Sequence, residues 1–159
     1  MHVFDASSMI HGWDNYPIEQ FPALWEWMAA QIEDKHLVFP QTAYNEIKKR
    51  TPDCEAWLKC QSVIIISMDN IIMQEAFRIK GLLGIVDDKY GEGVGENDLF
   101  IIATAKISGG ILVSNEKVQT NLPVKLANMK IPAVCNLESV RVQCIDFIRF
   151  LKESKSVFR

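Results

Sequence analysis

The stretch V-F-D-A-S-S, residues 3–8, ends a short apolar run abruptly in a carboxylate, Asp5. An apolar run of this length is typical of a buried strand. A carboxylate at the end of a buried strand loses its hydration, and a buried charge is rarely left without a partner. Asp5 is therefore expected either to cap a following helix or to bind something.

Length and composition describe an ordinary globular chain. Its 159 residues suit one domain, residues 1–159, and 48% apolar with 23% charged residues is far from a disordered composition. No apolar run approaches the roughly 18 residues of a membrane span, and no basic-then-apolar leader is present, so we expect a cytoplasmic protein without membrane contact. The four cysteines form no C-x-x-C pair, which predicts reduced, mostly buried thiols. A net charge of -3 argues against nucleic-acid binding through general electrostatics.

Short apolar runs alternate along the chain with longer amphipathic patterns. Strands are predicted at 2–4, 37–39, 63–67, 111–114 and 142–145, and helices at about 21–32, 41–50, 53–60, 72–83, 98–108, 131–139 and 145–154. Residues 87–97, rich in glycine and acid, are predicted to form a mobile surface loop near the site. Because parallel strands need helical crossovers, the alternation predicts an α/β fold, a three-layer α/β/α arrangement with a central, mainly parallel sheet of about five strands.

Four acids lie where a predicted strand ends or on a helix beside the same edge. They are Asp5, Glu46, Asp98 and Glu116. The carboxyl ends of parallel strands meet at one edge, where mutually repelling carboxylates need a cation, and several hard oxygen ligands suit Mg²⁺ or Mn²⁺. Taken singly, Asp5 and Asp98 also fit helix caps or first-turn acids, Glu46 a solvated surface residue and Glu116 a turn.

The order of four motifs resembles the PIN-domain nuclease family over nearly the whole chain. The motifs are F-D-A-S-S at 4–8, Y-N-E-I-K-K at 44–49, N-D-L-F-I-I-A-T-A at 97–105 and I-L-V-S-N-E at 111–116. The segment K-I-P-A-V-C-N at 130–136 resembles a bacterial branch of that family whose members look like toxins of toxin–antitoxin pairs. The resemblance implies a PIN-like version of the predicted three-layer fold.

The resemblance also implies a site and an activity. Asp5, Glu46 and Asp98 match the three central acids of the family's metal site, and Glu116 stands where the family usually has Asp. All four are therefore expected to be catalytic and to bind Mg²⁺ or Mn²⁺. Ser7 matches the small polar residue that supports the first Asp, and further side chains are expected to support the acids: Asn97, Thr104, Ser114 and Asn115. The implied activity is endoribonuclease cleavage of RNA, with tRNA as a candidate substrate, and the implied partners are a cognate antitoxin and a second copy of the chain.

Basic and aromatic residues offer further candidates for contact with RNA. The basic ones are Lys48, Lys49, Arg50, Lys117, Lys125 and Lys130, which fit phosphate contacts but also plain solvated faces. Trp13 and Tyr16 are predicted to lie in a loop after the first motif. There they would either stack on a base or anchor the loop on the core.

Two other functions fit the same residues. A phosphatase or phosphotransferase would use Asp5 as its nucleophile, although a haloacid-dehalogenase-like enzyme would have Asp where this chain has Ser7. A non-catalytic PIN-like domain would keep the fold and bind RNA or a protein. The intact acids favour a nuclease over this second alternative.

Overall fold

A five-stranded sheet runs through the centre of the molecule. The computed structural model describes residues 1–159. Its strands are β1 His2–Phe4, β2 Leu37–Pro40, β3 Ile65–Ile66, β4 Ile111–Val113 and β5 Cys144–Ile145. They are ordered β3-β2-β1-β4-β5, and every neighbouring pair is parallel. The carboxyl ends of all five strands therefore share one edge of the sheet.

Eight α-helices supply the crossovers that parallel pairing requires. They are α1 Ala6–Asn15, α2 Pro22–Glu33, α3 Gln41–Arg50, α4 Pro52–Lys59, α5 Asn70–Leu82, α6 Glu96–Ser108, α7 Ile131–Cys135 and α8 Phe147–Ser154, with a short 3₁₀ turn at Leu126–Asn128. The helices flank the sheet, and 39 buried residues form one continuous apolar cluster. The predicted three-layer α/β/α architecture is confirmed.

The central strand β1 places the first acid. Val3 pairs with Val38 of β2 and with Leu112 of β4, and both Val3 and Phe4 are fully buried. The backbone N–H of Asp5 continues the ladder by donating to the carbonyl of Val113 at 2.9 Å. Asp5 is thus fixed at the carboxyl edge, in the middle of the sheet.

The prediction of a loop around Trp13 and Tyr16 was wrong. Trp13 lies on helix α1, and Tyr16 is the C-cap residue of that helix. The helix was missed because small residues line the face that it buries: a Cβ on Gly12 would stand 2.7 Å from Cζ of Phe147 on α8. Trp13 packs edge-on against Trp25, so the structure favours the anchoring alternative over base stacking.

Three smaller expectations also need correction. Helix α7 ends at Cys135, short of residue 139, because the Cys135 carbonyl accepts a hydrogen bond from Val142, ahead of β5. The predicted loop at 87–97 is shorter in the structure, because residues 96 and 97 begin α6. The rest of it packs beside the 3₁₀ turn: the N–H of Val94 donates to the carbonyl of Met129 at 2.9 Å, and a Cβ on Gly93 would overlap that same carbonyl. Of the four free cysteines only two are buried, Cys54 and Cys135.

No helix in the structure has the length and apolar character needed to cross a membrane.

Candidate active site

Asp5 occupies the N-cap position of α1, but its side chain does not cap the helix. The side chain turns toward β4, and the residue is only 4% exposed. Its Oδ2 accepts hydrogen bonds from Ser7 Oγ at 2.5 Å and from Ser114 Oγ at 2.9 Å, whereas Oδ1 accepts none from the protein. The capping alternative therefore does not explain this side chain, which is a largely buried carboxylate whose second oxygen has no partner within the protein and remains open to solvent.

A cluster of hydroxyl groups holds the first acid in place. Ser7 Oγ also accepts from the backbone N–H of Asn115 at 2.9 Å, which ties α1 to the segment after β4. Ser8 Oγ contacts the carbonyls of Asp5 and Val113 at 2.8 and 2.7 Å. Ser8 was not predicted to take part in the site. The sequence feature that could have identified it is the pair of serines directly after Asp5, because one hydroxyl is enough to support the carboxylate and the second needs another explanation.

Asp98 serves two purposes at the start of α6. Its Oδ2 accepts from the backbone N–H of Gly95 at 2.9 Å, so the first-turn interpretation is correct for one oxygen. Burial raises the pKa of Asp98 to about 6, and the negative charges of Asp5, Glu116 and Glu46 add to that increase. Asp98 therefore lies within electrostatic reach of all three other acids.

The pKa of Asp5 is raised as well. Burial is the largest cause; the hydrogen bonds from Ser7 and Ser114 oppose it, and the charges of Glu46 and Glu116 reinforce it. Asp5 and Asp98 thus each lie within electrostatic reach of both Glu46 and Glu116. We call Asp5 and Asp98 the inner acids, because no basic side chain forms an ion pair with either of them.

The other two acids, Glu46 and Glu116, are ion-paired, and we call them the outer acids. Glu46 contacts Arg50, one turn later on α3, with 2.9 Å between Oε1 and Nη1. Glu116 contacts Lys130, just before α7, with 3.9 Å between Oε2 and Nζ. Their side chains are 37% and 35% exposed. In the structure each outer acid is therefore neutralised by the chain itself.

The acids share a site without forming a closed coordination shell. No group of three or more His, Cys, Asp or Glu side chains stands close enough together to hold a metal ion. The donor set nevertheless fits a hard divalent cation, because it consists of carboxylate oxygens and includes the unsatisfied Oδ1 of Asp5.

The remaining predicted residues differ in how they relate to the acids. Ser7 and Ser114 bind Asp5 directly. Asn115 accepts the N–H of Phe147 at 3.0 Å through Oδ1, and so fixes the start of α8. Thr104 donates to the Phe100 carbonyl of its own helix at 2.7 Å and forms no hydrogen bond with any of the acids.

Two open cavities lie beside the outer acids. One, of about 400 Å³, is lined only by polar and charged residues: Thr42, Asn45, Glu46, Lys49, Arg50 and Asn97. The other, of about 370 Å³, includes Glu116, Asp146 and Arg149 in its lining. Their positions follow the sheet order, because Glu46 comes after β2, Asp5 after β1 and Glu116 after β4. Each is large enough for a small ligand group.

Comparison with known proteins supports the fold and names a family. A chain of the crystal structure of VapBC2 from Rickettsia felis, bound to a DNA fragment from their promoter, matches with a TM-score of 0.56. The match has 14% sequence identity and covers 91% of this chain and 97% of that chain, so the fold is PIN-like. No curated protein matches the sequence. A family model matches residues 2–158, nearly the entire chain, and the protein therefore belongs to DUF4411, a domain of unknown function.

Proposed function

We propose that the protein is a Mg²⁺- or Mn²⁺-dependent endoribonuclease with Asp5, Glu46, Asp98 and Glu116 at its centre. The observation that carries this proposal is the buried Asp5 carboxylate, which has one free oxygen and acidic neighbours instead of a basic partner. Holding such a group out of water without a counter-charge costs free energy, and a bound divalent cation would recover it. Carboxylate oxygens are the ligands that Mg²⁺ and Mn²⁺ prefer.

In this proposal the chain contributes orientation and charge. A divalent cation held by the four carboxylates would supply a bound water of lowered pKa and a counter-charge for the phosphodiester. Ser7 and Ser114 fix one oxygen of Asp5 and leave the other free to bind. Glu116, partly exposed at the rim, is available to orient a water molecule and accept its proton. No side-chain nucleophile is required.

We further propose that the protein is the toxin of a toxin–antitoxin pair. The resemblance of residues 130–136 to toxin-like PIN proteins supports this role, and so does the likeness of the fold to a chain of VapBC2. A cognate antitoxin would present Arg or Lys to the acids, since charge-assisted hydrogen bonds to carboxylates are strong. The substrate would be RNA, with tRNA as a candidate, and the protein would act as a homodimer in the cytoplasm.

The direct test is cleavage of a labelled single-stranded RNA by the purified protein. We expect cleavage in Mg²⁺ or Mn²⁺, none in EDTA, and none by Asp98→Asn, whose circular dichroism should match the wild type. Cleavage that persists in EDTA would contradict the proposal. Turnover of a phosphomonoester without RNA cleavage would point to a phosphatase, and RNA binding without turnover to a non-catalytic domain.

A test in cells addresses the toxin role separately. Expression of the wild-type chain alone should slow bacterial growth, whereas equal expression of Asp98→Asn should not. Normal growth in the presence of folded, RNA-cleaving wild-type protein would contradict the toxin role and leave the nuclease intact.

A further inference from the structure

Basic residues near the acids fall into distinct groups in the structure. Lys49 and Arg50 line the 400 Å³ polar cavity together with the outer acid Glu46. Lys130 lies across the site, beside Glu116. Lys48, adjacent to Lys49 in the sequence, does not line the cavity. The structure therefore distinguishes basic residues that line the cavity from those that do not, a difference that the sequence alone does not show.

We propose that the cavity beside Glu46 is a subsite for the phosphate of a nucleotide next to the scissile bond of single-stranded RNA. Lys49 and Arg50 are the phosphate contacts, and Asn45 and Asn97 offer amide groups for hydrogen bonds to the same nucleotide. This inference rests on the proposed nuclease function. It adds the location of the substrate on the protein, which neither the family nor the fold comparison supplies.

The lining of the cavity fits a phosphate better than an apolar ligand. None of its six lining residues is hydrophobic, and its volume of about 400 Å³ is in the range of small-molecule sites. Lys49 forms no ion pair within the protein, so its charge is available. An exposed ammonium and a guanidinium side by side are the groups that most often contact nucleic-acid phosphates.

Arg50 links the subsite to the acid site. Its side chain is 56% exposed, and Nη1 contacts Oε1 of Glu46 at 2.9 Å. An exposed ion pair of this kind is weak, so a divalent cation bound to Glu46 would compete with Arg50 at little cost. Arg50, which lines the cavity, would then be free to contact a phosphate. Cation binding at the acids and RNA binding in the cavity would therefore favour each other.

The sheet order gives the path of the RNA. Glu46, Asp5 and Glu116 follow β2, β1 and β4, which are neighbours in the sheet. Neighbouring strands lie roughly 4.8 Å apart, so an RNA chain that crosses the carboxyl edge passes the ends of β2, β1 and β4 in that order. It meets Lys49 and Arg50 on one side of the inner acids and Lys130 on the other. This path lets basic residues hold the RNA on both sides of the reacting phosphate.

Lys48 provides a matched control for Lys49. Both are exposed lysines on α3, one residue apart, so Lys→Ala removes the same charge and the same length of side chain. Lys48 faces Glu55 of α4: the pKa of Glu55 is lowered mainly by a hydrogen bond from Lys59, and the charge of Lys48 contributes. Lys125, before the 3₁₀ turn, is the corresponding control for Lys130.

The experiment measures binding of a fluorescein-labelled single-stranded RNA in the Asp5→Asn background, in which cleavage is expected to be too slow to interfere. We expect Lys49→Ala to weaken binding about five- to tenfold and to reduce the slope of log K against log [salt] by about one. Lys48→Ala should stay within about twofold of its parent. In the protein with Asp5 intact, Lys49→Ala should raise KM and leave kcat within about twofold. The reason is that the phosphate contact stabilises the bound substrate and the transition state equally.

The outcomes separate this inference from the nuclease proposal. If the wild type cleaves RNA but Lys49→Ala and Lys48→Ala bind equally well, the subsite is overturned and the nuclease stands. If RNA binding depends on Lys49 but no cation supports cleavage, the subsite stands and the nuclease fails. Absence of RNA binding also overturns the subsite. Equal, Lys49-dependent binding of single-stranded DNA of the same sequence would support a phosphate contact, because RNA and DNA share that group.

Discussion

The inner and outer acids lie within electrostatic reach of one another but are held in opposite ways. Asp5 and Asp98 are bound by neutral donors, serine hydroxyls and a backbone N–H, and have no basic partner. Glu46 and Glu116 are at the rim, each in contact with a basic side chain. The pKa values of both inner acids are raised, chiefly by burial.

This contrast would divide the work of the proposed cation site between two pairs of acids. Buried carboxylates without a counter-charge are held at a cost in folding free energy, and that free energy is returned when a cation binds. Exposed ion pairs contribute little stability, so they exchange partners readily. We infer that the inner acids set affinity for the cation and that the outer acids adjust access to it.

The largest expected effect comes from removing one inner acid. Asp5→Asn should lower kcat/KM for RNA by roughly 10³-fold, because it removes the charge nearest the centre of the sheet edge. Glu116→Gln should cost about ten- to hundredfold, since an exposed rim residue is more easily replaced by water. Both variants should keep the wild-type melting temperature within a few degrees, as differential scanning fluorimetry can check. If the two variants lost kcat/KM equally, the inner and outer acids would not differ in their contribution to catalysis.

The next effect is stabilisation by a divalent cation. At a concentration of Mn²⁺ about 100 times its Kd, the wild type should gain about 2.7 kcal/mol, or roughly 5–10 °C in Tm. Most of this gain should disappear in Asp98→Asn, and less of it in Glu46→Gln. A full thermal shift in Asp98→Asn would show that the inner acids do not dominate cation binding.

A smaller effect is the pH dependence of stability without a divalent cation. The pKa of Asp98 is about 6 in the folded protein against an ordinary value of 3.8, so the folded state holds this proton more tightly than the unfolded state. Protonated Asp98 therefore adds to the free energy of unfolding below about pH 4, and this contribution is lost as the pH rises through about 6. Between pH 4.5 and 7.5 the wild type should lose on the order of 1–2 kcal/mol relative to Asp98→Asn.

Urea unfolding in EDTA at these two pH values measures that difference. Asn at position 98 can still accept the Gly95 N–H, so the helix start should survive. Asp34→Asn is the control, because Asp34 is exposed and precedes β2, away from the carboxyl edge. If Asp34→Asn changed the pH dependence as much as Asp98→Asn, the effect would reflect net charge and not the site.

The parallel sheet made the grouping of the acids predictable. Once the strands were assigned, the ends of the first and fourth had to meet at one edge, which places Asp5 beside the segment of Glu116. Helix α3 was predicted with the bounds that the structure has, Gln41–Arg50. The partner of Glu46 was also readable, since Arg50 is four residues later on the same helix.

Features that depend on packing between distant segments could not be read from local pattern. Helix α1 buries small residues such as Ala6 and Gly12, so its apolar face is weak in the sequence, and Gly12 is explained only by Phe147 of α8. The Glu116–Lys130 pair joins residues 14 apart across a loop. The glycine-rich loop at 87–97 looked mobile because nothing local indicates that Gly93 lies on the backbone of Met129.

The smallest expected effect tests whether the outer pairs exchange partners as easily as proposed. A double-mutant cycle of Glu46→Gln and Arg50→Gln should give a coupling free energy below about 0.5 kcal/mol in urea unfolding without a divalent cation, since both side chains are substantially exposed. Arg50→Gln should also tighten Mn²⁺ binding about two- to fivefold, because a competitor for Glu46 is gone. Isothermal titration with Mn²⁺ measures this, with Lys48→Gln as control. A coupling above about 1.5 kcal/mol would mean that Arg50 holds Glu46 firmly, and the division between inner and outer acids would then rest on position alone.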